Sequence, residues 1–162
     1  VDGKLQIRAK GNTYAFLRIP TQEAISGFAL RVKMRDEKGA AWGPCVYLRW
    51  QDGIAMRVGM RSDKVFQVNY AGKELLCGSF DPDRWLWVRV RWLTRNGILE
   101  YSADGVNYQE AYSFPREGRL GGPLAEVRLG KVFVNGEAVD YNDALGDVGT
   151  CEIDEFELYK AE

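Results

Sequence analysis

Apolar and polar residues alternate along most of this chain, and the alternating runs are cut by Asp-Gly and Asn-Gly pairs. A period of two sends successive side chains to opposite faces of an extended backbone, which a helix cannot do. Val46, Leu48 and Trp50 share one face, with Tyr47, Arg49 and Gln51 on the other. After Asp52-Gly53 the apolar face resumes at Ile54, Met56, Val58 and Met60, so a hairpin is predicted here. Phe28, Leu30, Val32 and Met34 alternate with Ala29, Arg31, Lys33 and Arg35; Leu86, Val88, Val90 and Trp92 alternate with Trp85, Trp87, Arg89 and Arg91. Each strand has one dry side and one wet side.

Asn96-Gly97, Ala103-Asp104-Gly105 and Asn135-Gly136 predict further tight turns, because glycine and asparagine tolerate the positive φ that such turns demand. With 18 glycines, five prolines and no long apolar stretch of helical period, little helix is expected beyond one short turn around Asp143. About a dozen short strands with one polar face each bury their other faces by stacking as two sheets, so the expected fold is an all-β, antiparallel two-sheet β-sandwich. Leu5-Ile7 and Ile153-Tyr159 both read as strands, and the termini are expected to pair near one sheet edge. Neither a repeat nor a linker divides residues 1–162, which read as one domain.

Composition narrows the function classes. A hydrophobic fraction of 46%, a charged fraction of 28% and a net charge of −1 describe a folded globular domain and give no support to binding of nucleic acid. No GxxxxGK[ST] or GxGxxG motif is present. No apolar run approaches the roughly 18 residues needed for a membrane-spanning helix. Val1-Asp2-Gly3 lacks the start of a signal peptide, so the expectation is mature or excised material. The chain has no histidine, which excludes Ser-His-Asp and Cys-His nucleophiles and histidine-ligated metal built from this chain alone. Its three cysteines, Cys45, Cys77 and Cys151, permit at most one disulfide within a monomer and form no CxxC pair; they are expected to serve as small buried hydrophobes.

Four segments carry a wider resemblance: Val1-Asp2-Gly3-Lys4-Leu5, the strand Trp85-Leu86-Trp87-Val88-Arg89-Val90-Arg91, the hairpin Tyr101-Ser102-Ala103-Asp104-Gly105, and the closing Ile153-Asp154-Glu155-Phe156-Glu157-Leu158-Tyr159. In order and spacing the chain resembles the concanavalin A-like lectin/glucanase superfamily, among its laminin-G-like and glycosidase-appended jelly rolls. The resemblance implies a curved double sheet, residence outside the cytoplasm (extracellular or periplasmic), and attachment to neighbouring domains of a larger secreted, carbohydrate-active protein. It implies no single function, because one fold hosts several.

Three groups of residues are candidates for chemistry. Glu152-Ile153-Asp154-Glu155-Phe156-Glu157 matches the Glu-x-Asp-x-x-Glu signature of retaining glucanases of this fold. The resemblance implies Glu152 as nucleophile, Glu157 as acid/base and Asp154 as the group that tunes them. Retaining hydrolysis needs two carboxyls about 5 to 5.5 Å apart, and a bulge would bring positions five apart onto one face. The motif stands almost at the end of the sequence, whereas the family's lies on a central strand. The solvated-strand reading is therefore preferred. Residues 137–162 carry nine acids against Lys160 alone, and Asp140, Asn142, Asp143 and Asp147 could supply oxygens to a structural calcium ion, with Asp154 added by the resemblance. Finally, Tyr47, Arg49, Arg57, Trp87 and Arg89, with Trp42 in a neighbouring loop, offer flat rings for sugar faces and guanidiniums for carboxylate or sulfate groups, which suits a glycan and in particular an acidic one. The expected function is a noncatalytic carbohydrate-binding or accessory module. A retaining glycoside hydrolase is the alternative, and a structural protein-interaction domain comes third.

Overall fold

The computed structural model describes residues 2–10, 15–34, 43–60, 65–81, 83–116, 122–132 and 148–161. Among these residues there are twelve strands: β1 (Leu5–Lys10), β2 (Ala15–Pro20), β3 (Ile25–Met34), β4 (Cys45–Trp50), β5 (Ala55–Met60), β6 (Val65–Tyr70), β7 (Lys73–Ser79), β8 (Leu86–Trp92), β9 (Asn96–Ser102), β10 (Gln109–Pro115), β11 (Leu124–Lys131) and β12 (Val148–Lys160). They form two six-stranded sheets, ordered β1-β12-β3-β8-β9-β10 and β2-β11-β4-β5-β6-β7, here the first and second sheet. Every strand pair is antiparallel. The all-β, antiparallel two-sheet sandwich expected from the alternation is the fold observed, in the jelly-roll form that the resemblance implies. Among the described residues no helix is long and apolar enough to cross a membrane.

The dry faces meet as the sequence period requires. Phe28, Leu30, Val32, Val88, Val90 and Trp92 of the first sheet are buried against Val46, Leu48, Trp50, Met56, Val58 and Met60 of the second. Trp92 bridges the layers, with its ring centroid 6.1 Å from that of Trp50 and 6.0 Å, edge-on, from that of Phe28. β1 pairs with β12, from Leu5 opposite Ile153 to Lys10 opposite Val148, so the two ends of the sequence lie together with β1 at a sheet edge.

The turn at Asp52-Gly53 forms as expected, with Gly53 at φ +89° and the Asp52 Oδ1 accepting from the Ile54 N–H at 3.1 Å. The turn expected at Asn96-Gly97 lies earlier. The chain reverses over residues 93–95, closed by the Leu93 N–H donating to the Asn96 carbonyl at 2.7 Å, and Asn96 and Gly97 open β9. Glycine is required at 97 by packing: a Cβ there would stand 2.2 Å from the Phe114 ring. Asn135-Gly136 and the segment around Asp143 lie outside the described residues. All three cysteines are free thiols, Cys45 and Cys151 buried and Cys77 half-buried.

Candidate functional site

The outer face of the second sheet carries a row of polar side chains, one from each strand. Antiparallel register sets Arg18 opposite Arg128, Arg128 opposite Tyr47, Tyr47 opposite Arg57, Arg57 opposite Asn69 and Asn69 opposite Glu74. Beside this row Glu126 stands between Pro20 of β2 and Arg49 of β4. Its carboxylate is fully buried and gathers three guanidiniums: Arg18 Nε at 2.5 Å, Arg128 Nη2 at 2.5 Å and Arg49 Nε at 3.4 Å. Burial is the largest influence on Glu126 and opposes its ionisation, but the hydrogen bonds and charges of Arg128 and Arg18 together outweigh it, so its pKa falls below the usual carboxylate value. The Arg128 guanidinium lies over the rings of Phe16, at 4.9 Å, and Tyr47, at 5.1 Å. The Arg18 and Arg49 side chains are 61% and 46% exposed. One carboxylate therefore holds three cations, and two of them remain accessible to an external anion.

Arg57 departs from the expectation of a wet-face residue. It is fully buried, and its guanidinium donates to the Val132 carbonyl at 2.6 Å, to Gln67 Oε1 at 3.1 Å and to the Met60 carbonyl at 3.2 Å. Gln67 in turn donates to Glu74. Tyr47 is also buried, packed with Cys45 and Val132. Val132, the residue after β11, thus overlies this part of the sheet, and Arg57 satisfies its carbonyl. Period-two reasoning gave the face correctly. Whether another segment covers that face is not a local property.

Trp87 and Arg89 lie on the outer face of the first sheet, the opposite outside of the sandwich from Tyr47, Arg49 and Arg57. The structure therefore divides the expected aromatic and guanidinium pairs into two faces. Glu100 on β9 accepts from Arg89 Nε at 2.7 Å, from Arg91 Nε at 2.8 Å and from Arg91 Nη2 at 2.9 Å. Burial again acts most strongly and raises the Glu100 pKa, and again the guanidiniums of Arg91 and Arg89 reverse it to a net lowering. Arg89 stacks on Tyr108 at 3.7 Å. The Trp87 ring packs over Gly105, where a Cβ would come within 2.8 Å. That turn is tied by Asp104, whose carboxylate accepts from the Val106 and Asn107 N–H groups at 2.8 Å each and from the Asn107 amide and Ser102 hydroxyl at 2.8 Å. These bonds, led by those from the Asn107 and Val106 backbone, hold its pKa far below the ordinary value.

The acidic motif on β12 sits on the same face as Trp87. A bulge between Asp154 and Glu157, with Glu155 at φ +50°, shifts the alternation so that Phe156 packs on the core while Glu152, Asp154 and Glu157 share the outer side. Glu152 accepts from Gln6 Nε2 at 3.1 Å, and Asp154 pairs with Arg31 at 3.4 Å. Trp42 and the calcium candidates Asp140, Asn142, Asp143 and Asp147 lie outside the described residues. Among the described residues no three Cys, Asp or Glu side chains are grouped to hold a metal ion. Arg18, Glu126 and Arg128 were not among the residues singled out from sequence, although Arg18 alternates with Leu17 and Ile19, and Arg128 with Val127 and Leu129. Nothing local shows that β2, β11 and β4, distant in sequence, are neighbours.

No protein-family profile and no curated protein matches the sequence. Solved structures do match in shape. A tetrameric galectin from the ball sponge Cinachyrella sp. aligns with a TM-score of 0.56 at 16% identity, over 90% of this chain and 99% of the galectin. An alginate lyase solved in complex with an alginate trisaccharide aligns at 0.58 and 12% identity, over 100% of this chain and 83% of the lyase. Domains LG4-5 of the mouse laminin α1 chain align at 0.56 and 13% identity, over 98% of this chain and 42% of that one. The fold is the concanavalin A-like jelly roll.

Proposed function

We propose that this domain is a noncatalytic carbohydrate-binding module of a larger extracellular protein, and that it takes acidic glycans on the outer face of its second sheet. The observation that carries this reading is the cluster around Glu126, where three arginines converge on one buried carboxylate and the Arg18 and Arg49 side chains remain exposed. Guanidinium forks match carboxylate and sulfate geometry, and Glu126 holds them in place before a ligand arrives. The likeness to a galectin and to a lyase solved with an alginate trisaccharide supports the choice of carbohydrate. The test is a glycan array containing uronate and sulfated polymers beside neutral ones, followed by calorimetry. Arg49→Gln and Arg18→Gln are expected to weaken an acidic ligand about tenfold each, which is about 1.4 kcal/mol. Trp87→Ala and Arg89→Ala, on the other face, should leave it unchanged. No acidic binder on the array, or one indifferent to both arginine variants, overturns the reading.

One observation favours a hydrolase instead: the bulge at Glu155 brings Glu152 and Glu157 onto one face, as the retaining geometry needs. The binding reading expects no turnover of β-glucans or galactans. Turnover that vanishes in Glu152→Gln and in Glu157→Gln, with the fold intact, would establish the hydrolase.

A further inference from the structure

At the flank of the sandwich where β7 and β10 are the free edges, the two sheets enclose a cavity of about 430 Å³, within the range of small-molecule sites. The strands that frame it are irregular there. β7 carries an extra residue over Cys77 and Gly78, opposite Phe66, and β10 carries one at Ala111; all of these line the cavity. Gly78 takes φ +97°, and a Cβ built there would meet nothing within 4 Å. Bulges of this kind bend edge strands and gather beside binding sites. The floor is core, formed by Phe66, Val88 and Leu99. Phe80, Trp85 and Tyr101 add their rings to that of Phe66, and Phe66 and Phe80 stand edge to face with centroids 6.1 Å apart.

The charges around this space cancel or face elsewhere. Arg84 Nε lies 3.2 Å from Asp81 Oδ2, and Asp81 Oδ1 accepts from the Asp83 N–H at 3.1 Å. Glu100 borders the cavity, but its carboxylate is taken up by Arg89 and Arg91 on the outer face of the first sheet, and the register sets Glu110 opposite it. An ion entering the apolar interior would give up hydration that none of these groups is placed to replace. Tyr101 keeps one function open. Its hydroxyl donates to Gln109 Oε1 at 2.9 Å, which leaves the phenolic oxygen able to accept. We propose that this inter-sheet cavity is a second binding site, for a small uncharged aromatic molecule bearing one hydroxyl, whose ring packs among Phe66, Phe80 and Leu99 and whose hydroxyl donates to the Tyr101 oxygen. Edge-on and offset ring contacts select the aromatic body, and the paired charges select neutrality. The site is separate from the Glu126 face and does not depend on the glycan reading.

Four probes with one body separate the contributions: 4-propylphenol, 4-propylanisole, 4-propylbenzylamine and 4-propylbenzoate, titrated calorimetrically into the domain at neutral pH. The phenol should bind about two- to tenfold tighter than the anisole, which cannot donate, and that factor is the scale of one net hydrogen bond. The ammonium and the carboxylate should both bind more weakly than the phenol. Tyr101→Phe should remove the phenol's advantage and leave the anisole's binding as it was. Ala111→Phe, which fills the cavity from β10, should abolish binding of all four. If that variant does not fold, Ala103→Trp, at an exposed position lining the same space, makes the same test. A second readout needs no variant. Cys77 lines the cavity and is half-buried, whereas Cys45 and Cys151 are each 1% exposed. Saturating 4-propylphenol should therefore slow alkylation of Cys77 by iodoacetamide, followed by mass spectrometry. Absence of binding by the phenol, binding no tighter than that of the anisole or of a charged analogue, or calorimetric binding without protection of Cys77 would overturn the proposal.

Discussion

Several ionisable side chains of this domain are held where water does not reach, and their partners decide what each costs. Glu100 is secured by two arginines on one sheet face, and its lowered pKa means that the folded state favours the carboxylate. Its contribution is present above the unfolded value, near 4.5, and is lost as pH falls through the lower folded value. Glu100→Gln should cost about 1–3 kcal/mol at pH 7 in denaturant melts, with the gap to the parent closing as pH drops below about 4. Lys131 behaves oppositely. It follows Val127 and Leu129 on the core side of β11, is 1% exposed, and donates to the Ala9 carbonyl at 3.4 Å. Burial pushes its amine down to about 8, while the nearby Cys151 acts weakly the other way. Because the folded state releases this proton more readily than the unfolded chain, its charge penalty is fully present below about pH 8 and is relieved as pH rises toward 10.5. Lys131→Met is expected to raise stability at pH 7 by about 1–3 kcal/mol, with the advantage shrinking across that interval; an unchanged pH dependence would show that the amine stays solvated.

At the scale of the strand, one residue sets the placement of β12. Glu155 at φ +50° is the extra position that lets Ile153 and Phe156 both face the core. A left-handed conformation costs a side-chain-bearing residue about 1–2 kcal/mol, partly offset in any comparison with glycine by the greater freedom glycine loses on folding. Glu155→Gly should accordingly change stability by no more than about 1 kcal/mol, in the stabilising direction. Deleting Glu155 removes the extra position and leaves Ile153, Phe156 and Leu158 in plain alternation on the core side, so the domain should still give a cooperative melt. A deletion variant that fails to fold would show that the bulge does more than keep the alternation in step. β9 depends on packing in the same way: Gly97→Ala drives a methyl into the Phe114 ring and should destabilise by about 1–3 kcal/mol.

The whole molecule is one core between two sheets, so stability should be lost in a single transition. Val90 is fully buried at the centre of the first sheet, packed among Phe28, Leu99 and other core side chains. Val90→Asp buries a carboxylate with no partner, which costs several kcal/mol against a total stability of about 5–15 kcal/mol, and should leave an unfolded or aggregated chain. A soluble variant with a native far-ultraviolet spectrum would mean that the face of β8 has been assigned wrongly.

Alternation alone determined the strands, their dry faces and the two-sheet sandwich, because a period of two is a local property of an extended backbone and Val46, Leu48, Trp50, Val88 and Val90 obey it without reference to anything distant. It also placed the two ends of the sequence side by side. The i to i+5 relation of Glu152 and Glu157 was legible as a possibility, and the bulge at Glu155 realised it. What alternation could not decide was which outer faces belong together. Tyr47 and Trp87 carry the same local pattern yet stand on opposite sides of the sandwich, and Arg57 vanishes beneath Val132, 75 residues later in the chain. Arg18, Arg49, Glu126 and Arg128 meet only because β2, β11 and β4 are adjacent in the second sheet. Strand order is set by long-range pairing, and those contacts join residues too far apart in sequence to leave a periodic trace.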